Sequence, residues 1–385
     1  MPTEETLTIE KLVYGGEGLA RVEGKVVFIP YVLPGEVVRA EVSRIKNDLW
    51  RGRLVEAIQP SPARVAAPCP YFQRCGGCHY QHAGYEQQLE QKRLILREVL
   101  RRVGKIEFSG DIGTIAGEPW QYRNRMQLHI ANGAAGYFEH GSHKLCAIDH
   151  CPIVSPALND AIAKLSRGLP PATATVELFT NESQVQVNIL DRVPKAALAI
   201  FESLGSNAPL EYNGFRVSRN SFFQVNRFLI EQLVECAIGD LAGESAVDLY
   251  AGVGLFAVRL AQRYKKVTAV ESSQSAFRDL EHNTQQSVHA VIANSEDYLA
   301  GLGEIPDLVL ADPPRAGLGK IVVRELARIR APRVTIVSCD PATLARDLQG
   351  LLASGYRIER VTLVDLFPQT YHLETVASLV LSSST

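Results

Sequence analysis

The stretch "ESAVDLYAGVGLFAVRLAQRY", residues 244 to 264, decides how the C-terminal half of the chain is read. It reads as a strand, a glycine-containing turn and a helix. Gly252 and Gly254 let the backbone pass close to a ligand where a Cβ would clash. The next strand, "KKVTAVESS", ends in Glu271, about twenty residues farther on. That spacing suits a carboxylate gripping two ribose hydroxyls. The glycines do not form G-x-G-x-x-G, and no pyrophosphate clamp is evident. S-adenosylmethionine is therefore favoured over a dinucleotide. A tight turn in any α/β sheet would explain the glycines but not the later carboxylate.

From about residue 209 the rhythm is strand-helix-strand-helix, which predicts a parallel sheet covered by helices. "PDLVLADPPRAGL" adds a strand that ends at Asp312. Ligands of open parallel sheets bind outside the carboxyl ends of the strands. Tyr250, Glu271, Asp312 and Cys339 all follow such ends. Free cysteine is most often core filler. Four useful residues along one sheet edge favour a nucleophile for Cys339 instead. Arg315 is the candidate for lowering its pKa.

The remainder of the chain differs in texture. Residues 1 to 58 alternate short strand-like runs with Gly, Pro and Asn-Asp turns, the pattern of a small β-barrel. Arg39, Arg44, Lys46, Arg51 and Arg53, near Trp50 and Tyr31, suit a single-stranded nucleic-acid binder or a solvated charged face. Residues 59 to 208 form a central α+β unit with an amphipathic helix at 85 to 105. One stripe of that helix carries Tyr85, Leu89, Leu96, Val99, Leu100 and Val103, and its other face is basic through Lys92, Arg93, Arg97, Arg101 and Arg102. "WQYRNRMQLHI" interleaves Arg123 and Arg125 with aromatics, an RNA-facing pattern. Residues 209 to 385 form the third unit.

The 385 residues have a formal net charge of -2, are 46% hydrophobic and 21% charged, and include seven cysteines. The charge argues against a protein that coats nucleic acid by bulk attraction, although a local basic groove remains compatible with it. No apolar run is long enough to span a membrane. "MPTEETLTIEKL" lacks a secretory pattern, so a cytoplasmic location is expected. In a reducing compartment clustered cysteines point to metal or catalysis. The loop 69 to 82, "CPYFQRCGGCHYQH", places Cys69, Cys75 and Cys78 at spacings suited to a metal or iron–sulfur site. Zinc completed by His79 or His82 is the alternative. Cys236 lies in a helical stretch and reads as core.

Together, "SRNSFFQVN", "DLYAGVGLF", "DPPRAG", "SCDPATLARDL" and "DLFPQTYHLETV" make the whole chain resemble the uracil-5 RNA methyltransferases, with an N-terminal module similar to the TRAM domain. The resemblance implies an α/β class I, Rossmann-like methyltransferase domain. It implies Cys339 as nucleophile, Glu374 as base, and Gln224, Tyr250, Glu271, Asn294 and Asp312 as contacts of S-adenosylmethionine. Leu255 stands where some relatives carry Asn. The resemblance further implies Cys151 as fourth ligand of a 4Fe-4S cluster, with Cys146 the near miss. The expected partner is RNA, 23S rRNA ahead of tRNA, and the expected state a monomer. The chemistry agrees: C5 of uracil needs thiolate addition at C6 before it can take a methyl group, and a base must then remove the C5 proton. The rival readings are an iron–sulfur electron carrier and an RNA-binding protein without methyl transfer. Neither needs both Cys339 and Glu374.

Overall fold

The computed structural model describes residues 3–46, 49–166, 169, 173–193 and 195–382. The expected Asn47–Asp48 turn and the Lys46 side chain lie outside the described residues.

The N-terminal sheet is a nearly closed barrel of six strands, from Thr3–Thr8 to Leu49–Gln59. Alternation drives it: Val27 and Ile29 on one strand, and Val38, Ala40 and Val42 on another, point into a common core. The arginines of its second half do not stand as open cations. Arg39 pairs with Glu56 at 2.7 Å, Arg53 with Glu41 at 2.5 Å and Arg51 with Glu17 at 3.5 Å. Tyr31 is likewise spent on the interior, packing edge-on to Phe72 at 5.2 Å.

A five-stranded antiparallel sheet follows, built around Arg125–Ala131 and Ala174–Thr180. The helices Pro156–Leu165 and Lys195–Leu204 accompany it. The amphipathic helix spans Tyr85–Arg102. Its apolar stripe is buried through Leu89, Leu96 and Leu100, but Val103 is exposed. Lys92, expected on the basic face, is fully buried and donates to Asp365 Oδ1 at 2.6 Å and to the Phe367 carbonyl at 2.9 Å. Burial lowers its pKa, while Asp365 favours the charged form. Tyr85 Oη also donates to Asp365, at 2.9 Å. Such a pair can be buried because its charges and hydrogen bonds are mutually satisfied.

The large sheet has eight strands. In spatial order they are His289–Ile292, Tyr264–Glu271, Gly243–Leu249, Leu308–Ala311, Arg333–Ser338, Glu374–Leu381, Tyr356–Val364 and Ile112–Ile115. The first five are parallel. Glu374–Leu381 inserts antiparallel beside Arg333–Ser338. This is the expected class I methyltransferase arrangement, with one addition from outside residues 209–385: Ile112–Ile115 pairs parallel to Tyr356–Val364. Among the described residues, no helix is long and apolar enough to cross a membrane.

Candidate active site

Chain reversal begins the site at the first strand end. Tyr250, Gly252 and Gly254 all have positive φ, of 60°, 57° and 95°. The two glycines serve different ends. A Cβ on Gly252 would meet nothing within 4 Å, so it borders open space, whereas one on Gly254 would lie 2.9 Å from Leu280 Cδ1. Gly252 therefore fits a cradle for a ligand, and Gly254 fits close helix packing. Glu271, at the next strand end, accepts from Gly252 N at 2.8 Å and from Ser273 N at 2.6 Å. Those two bonds fix its carboxylate at the lip of the turn. Asp312 ends the Leu308–Ala311 strand and accepts from Gln224 Nε2 at 3.3 Å.

Cys339 follows the Arg333–Ser338 strand. Asp340 then caps the helix Pro341–Ala353, accepting from Ala342 N and Thr343 N at 2.9 Å each, with Pro341 in its first turn. The antiparallel register pairs Ser338 with Thr375. One step outward along the same ladder stand Cys339 and Glu374, which explains how residues distant in sequence meet.

Gln224, Tyr250, Gly252, Glu271, Asp312, Cys339 and Glu374 line one cavity of about 610 Å³. Gly254 and Asn294 do not line it. Asn294 instead precedes the helix Ser295–Ala300 and contacts Asp297 Oδ2 at 3.5 Å. Leu255 is on the wall, so the site is apolar where an Asn would make it polar. Arg123, His372 and Phe222 also face the cavity, and Phe222 is 59% exposed at its mouth. The sequence marked Arg123 only as an RNA-facing cation and assigned nothing to His372, although both lie in quoted motifs. Arg125 is buried instead. It donates to the Ser221 carbonyl at 2.8 Å and lies 4.5 Å over the Phe179 ring, so it cannot be an RNA-facing side chain.

Burial dominates the electrostatics. It pushes the Cys339 thiol up to about 11, with Glu374 adding to the rise and Arg315 opposing it. The expected net lowering by Arg315 is thus outweighed. Glu374 and Asp312 are both pushed upward, first by burial, and Asp312 further disfavours the charge on Glu374. Asp248, on the neighbouring strand, is fully buried, and burial followed by Asp312 drives its pKa up as well, against a backbone bond from Ala257. Such crowding of acids suits a site that receives a cation.

The family model described as tRNA (Uracil-5-)-methyltransferase matches residues 172–382, and that of the TRAM domain matches residues 3–55. The chain belongs to the uracil-5 RNA methyltransferase family. It is 32% identical to a 23S rRNA (uracil(1939)-C(5))-methyltransferase of Pseudomonas putida, over 97% of this chain and 93% of that one. A protein of the same description from Chromohalobacter salexigens is 34% identical, over 98% and 89%. A crystal structure of the Pyrococcus abyssi tRNA (uracil-54, C5)-methyltransferase with S-adenosyl-L-homocysteine superposes with a TM-score of 0.77 at 26% identity, covering 98% of this chain and 100% of that one. The activity of this uracil-5 RNA methyltransferase is S-adenosylmethionine-dependent methylation of uracil C5 in RNA.

A second cavity of the methyltransferase, of about 370 Å³, is lined by Cys69, Cys75, Cys78 and Cys151. Arg123 and His372 belong to its wall as well. Cys146 does not line it and accepts from Arg74 Nε at 3.2 Å. His79 lines it; His82 does not, and its Nε2 faces the Val32 carbonyl at 3.3 Å. Burial pushes the Cys75 thiol to about 12 and the Cys151 thiol to about 11. Among the described residues, no three His, Cys, Asp or Glu side chains are arranged to hold a single metal ion. Cys236 is buried in the core, as expected.

Proposed function

We propose that this enzyme methylates a uridine of 23S rRNA through a covalent adduct between Cys339 and C6 of the uracil. The observation that carries the reading is the convergence of Cys339, Glu374 and Asp312 on one cavity. The rRNA target rests on the relatives of that description, which align along almost all of this chain. A tRNA uridine is the second reading, favoured by the Pyrococcus likeness.

In this mechanism the Cys339 thiol releases its proton to solvent, the thiolate adds to C6, and the electron pair displaced from the C5–C6 double bond makes C5 enolate-like. C5 takes the methyl group from the sulfonium of the donor, leaving S-adenosylhomocysteine. Glu374 removes the C5 proton, and the electron pair returns to expel the thiolate. A carboxylate held above its usual pKa is a stronger base near neutrality, which suits that step. Gln224, Tyr250, Gly252, Glu271 and Asp312 hold the donor. Its positive sulfonium would relieve the crowding of the acids. Gly254 supports that pocket by packing, and Asn294 stands outside the cavity wall. The target base must leave the RNA stack to reach Cys339. Arg123 and Phe222 are placed to receive it.

Cys69, Cys75, Cys78 and Cys151 fit a 4Fe-4S cluster better than zinc. Each thiolate of such a cluster binds a different iron, so the four need not converge on one point. Cys75 Sγ already accepts from Gly77 N at 3.4 Å, the kind of bond that supports a cluster sulfur. A bound cluster would cross-link the 69–78 loop to Cys151; the methyl transfer needs no electron from it. In this reading residues 1–58 and 59–208 present the RNA, residues 209–385 carry the chemistry, and the enzyme acts as a cytoplasmic monomer.

Glu374→Gln tests the mechanism. Methyl transfer should proceed and elimination should stall, leaving an enzyme–RNA adduct on a denaturing gel that maps to Cys339. A fully active, adduct-free variant would show that another group removes the proton.

A further inference from the structure

The segment 11–17 of the barrel reaches into the methyltransferase domain. Leu12 is buried in the core of the large sheet, Lys11 pairs with Glu98 of the Tyr85–Arg102 helix, and Gly16 abuts His79 so closely that a Cβ would lie 3.0 Å from the His79 Cβ. Tyr14 sits within this segment. Its hydroxyl donates to Asp340 Oδ2 at 3.2 Å. Asp340 follows Cys339 directly, and its other oxygen caps the Pro341–Ala353 helix. The Tyr14 ring also meets Tyr371 edge-on, with centroids 5.5 Å apart, and Tyr371 lies three residues before Glu374. One barrel side chain thus touches both the turn that carries Cys339 and the segment that leads into the strand beginning at Glu374.

Tyr14 itself does not line the catalytic cavity. Its hydroxyl is engaged by protein, and its ring is partly buried against the core of the large sheet. A phenol meant only for RNA would present its hydroxyl outward. We infer that Tyr14 is a positioning residue, which sets the turn bearing Cys339 through the Asp340 carboxylate and makes the barrel part of the catalytic apparatus as well as a grip on RNA. The inference rests on the assignment of Cys339 as nucleophile. Without the hydroxyl, Asp340 Oδ2 loses its donor. The carboxylate is then held only from the helix side, by the bonds from Ala342 N and Thr343 N to its other oxygen, and the thiol beside it loses part of the bracing that fixes its approach to C6. Geometry of this kind acts on the chemical step, so kcat should respond and RNA binding should not.

The test uses the full-length protein with Tyr14→Phe, which keeps the ring on Tyr371 and removes only the hydrogen bond. The expected result is a kcat lowered about tenfold, the scale of one hydrogen bond to a charged acceptor. KM for RNA and the donor Kd should stay within about twofold. In the free enzyme, iodoacetamide labelling of Cys339 should change by about threefold or more while Cys236 labels as before, read by peptide mass spectrometry. Asp340→Asn, which retains a good helix cap, should lower kcat as well, and the double variant should be no worse than the weaker single one. An unchanged kcat in Tyr14→Phe overturns the inference. So does a loss confined to KM for RNA with Cys339 labelling unchanged, which would make Tyr14 an RNA contact. The wild-type enzyme trapped on RNA containing 5-fluorouridine supplies the separate control. An adduct that maps away from Cys339 overturns the nucleophile assignment itself, whatever Tyr14→Phe does.

Discussion

The cysteine cavity and the catalytic cavity share Arg123 and His372 on a common wall, yet they are held open by different means. The catalytic one sits at the ends of sheet strands. Tyr250, Glu271, Asp312 and Cys339 stand at the ends of Gly243–Leu249, Tyr264–Glu271, Leu308–Ala311 and Arg333–Ser338, and ladder hydrogen bonds set their spacing. The cysteine cavity is walled largely by the turns of 69–82 and 148–153, with few ladder bonds to hold them. Thiols in both are pushed toward 11 or 12 by burial. The same desolvation has opposite uses. Behind a sheet edge it stores a neutral thiol until substrate arrives. Among loops, in the cluster reading proposed above, it would leave protons for a metal to displace, and the metal would then supply the rigidity that ladder bonds provide elsewhere.

The largest effect should come from Cys339→Ala. Turnover should fall by at least about a thousandfold, with donor affinity and unfolding temperature close to wild type. Activity within about tenfold of wild type would remove the catalytic side of the comparison. Cys75→Ser attacks the other cavity. Iron, sulfide and broad visible absorbance should disappear together, and the unfolding temperature should drop because a cross-link of loops is gone. Wild-type protein carrying zinc, without iron or sulfide, would replace the cluster by a zinc site.

The shared wall can be probed from behind. Lys92 and Asp365 brace the segment that leads to His372 and Glu374. Lys92→Met should cost about 3–5 kcal/mol in urea unfolding, because it strands a buried carboxylate. A cost below about 1 kcal/mol would mean that Tyr85 and water suffice for Asp365. The smallest effect is one of slope. The folded thiol of Cys339 lies above its ordinary value of 9.0, so it stays neutral where an ordinary thiol has ionised. Its alkylation in the free enzyme should keep rising about tenfold per pH unit from about pH 7 to about pH 10. A plateau near pH 8 would show that Arg315 outweighs burial.

Much of the catalytic cavity was legible in the sequence because strand ends are local features. The strand, turn and helix of 244–264 and the later Glu271 place Tyr250, Gly252 and Glu271 on one sheet edge from local pattern alone. The family motifs added Gln224 and Glu374, whose places depend on pairings that no local pattern reveals. Lys92 and Arg125 show where the reading stops. Lys92 reads as part of an exposed basic face and Arg125 as an RNA-facing cation, because the groups that bury them, Asp365 and Phe179, are far away in sequence. Asn294 is implied by the resemblance alone, and it stands outside the cavity wall. The arginines of the barrel were legible as charges, but their glutamate partners lie across strands, where pairing register decides who meets whom.

The strand Ile112–Ile115 bears on how the protein is made. Its partner, Tyr356–Val364, emerges from the ribosome about 250 residues later. Until then four residues that will close the edge of the catalytic sheet have nothing to pair with. Pairing over so long a separation is slow, and the waiting edge is open to association with other chains. A fragment beginning at residue 209 would carry that edge permanently bare along Tyr356–Val364. Such a fragment should aggregate where the intact chain does not, although it holds Cys339, Glu374 and the turn at Gly252.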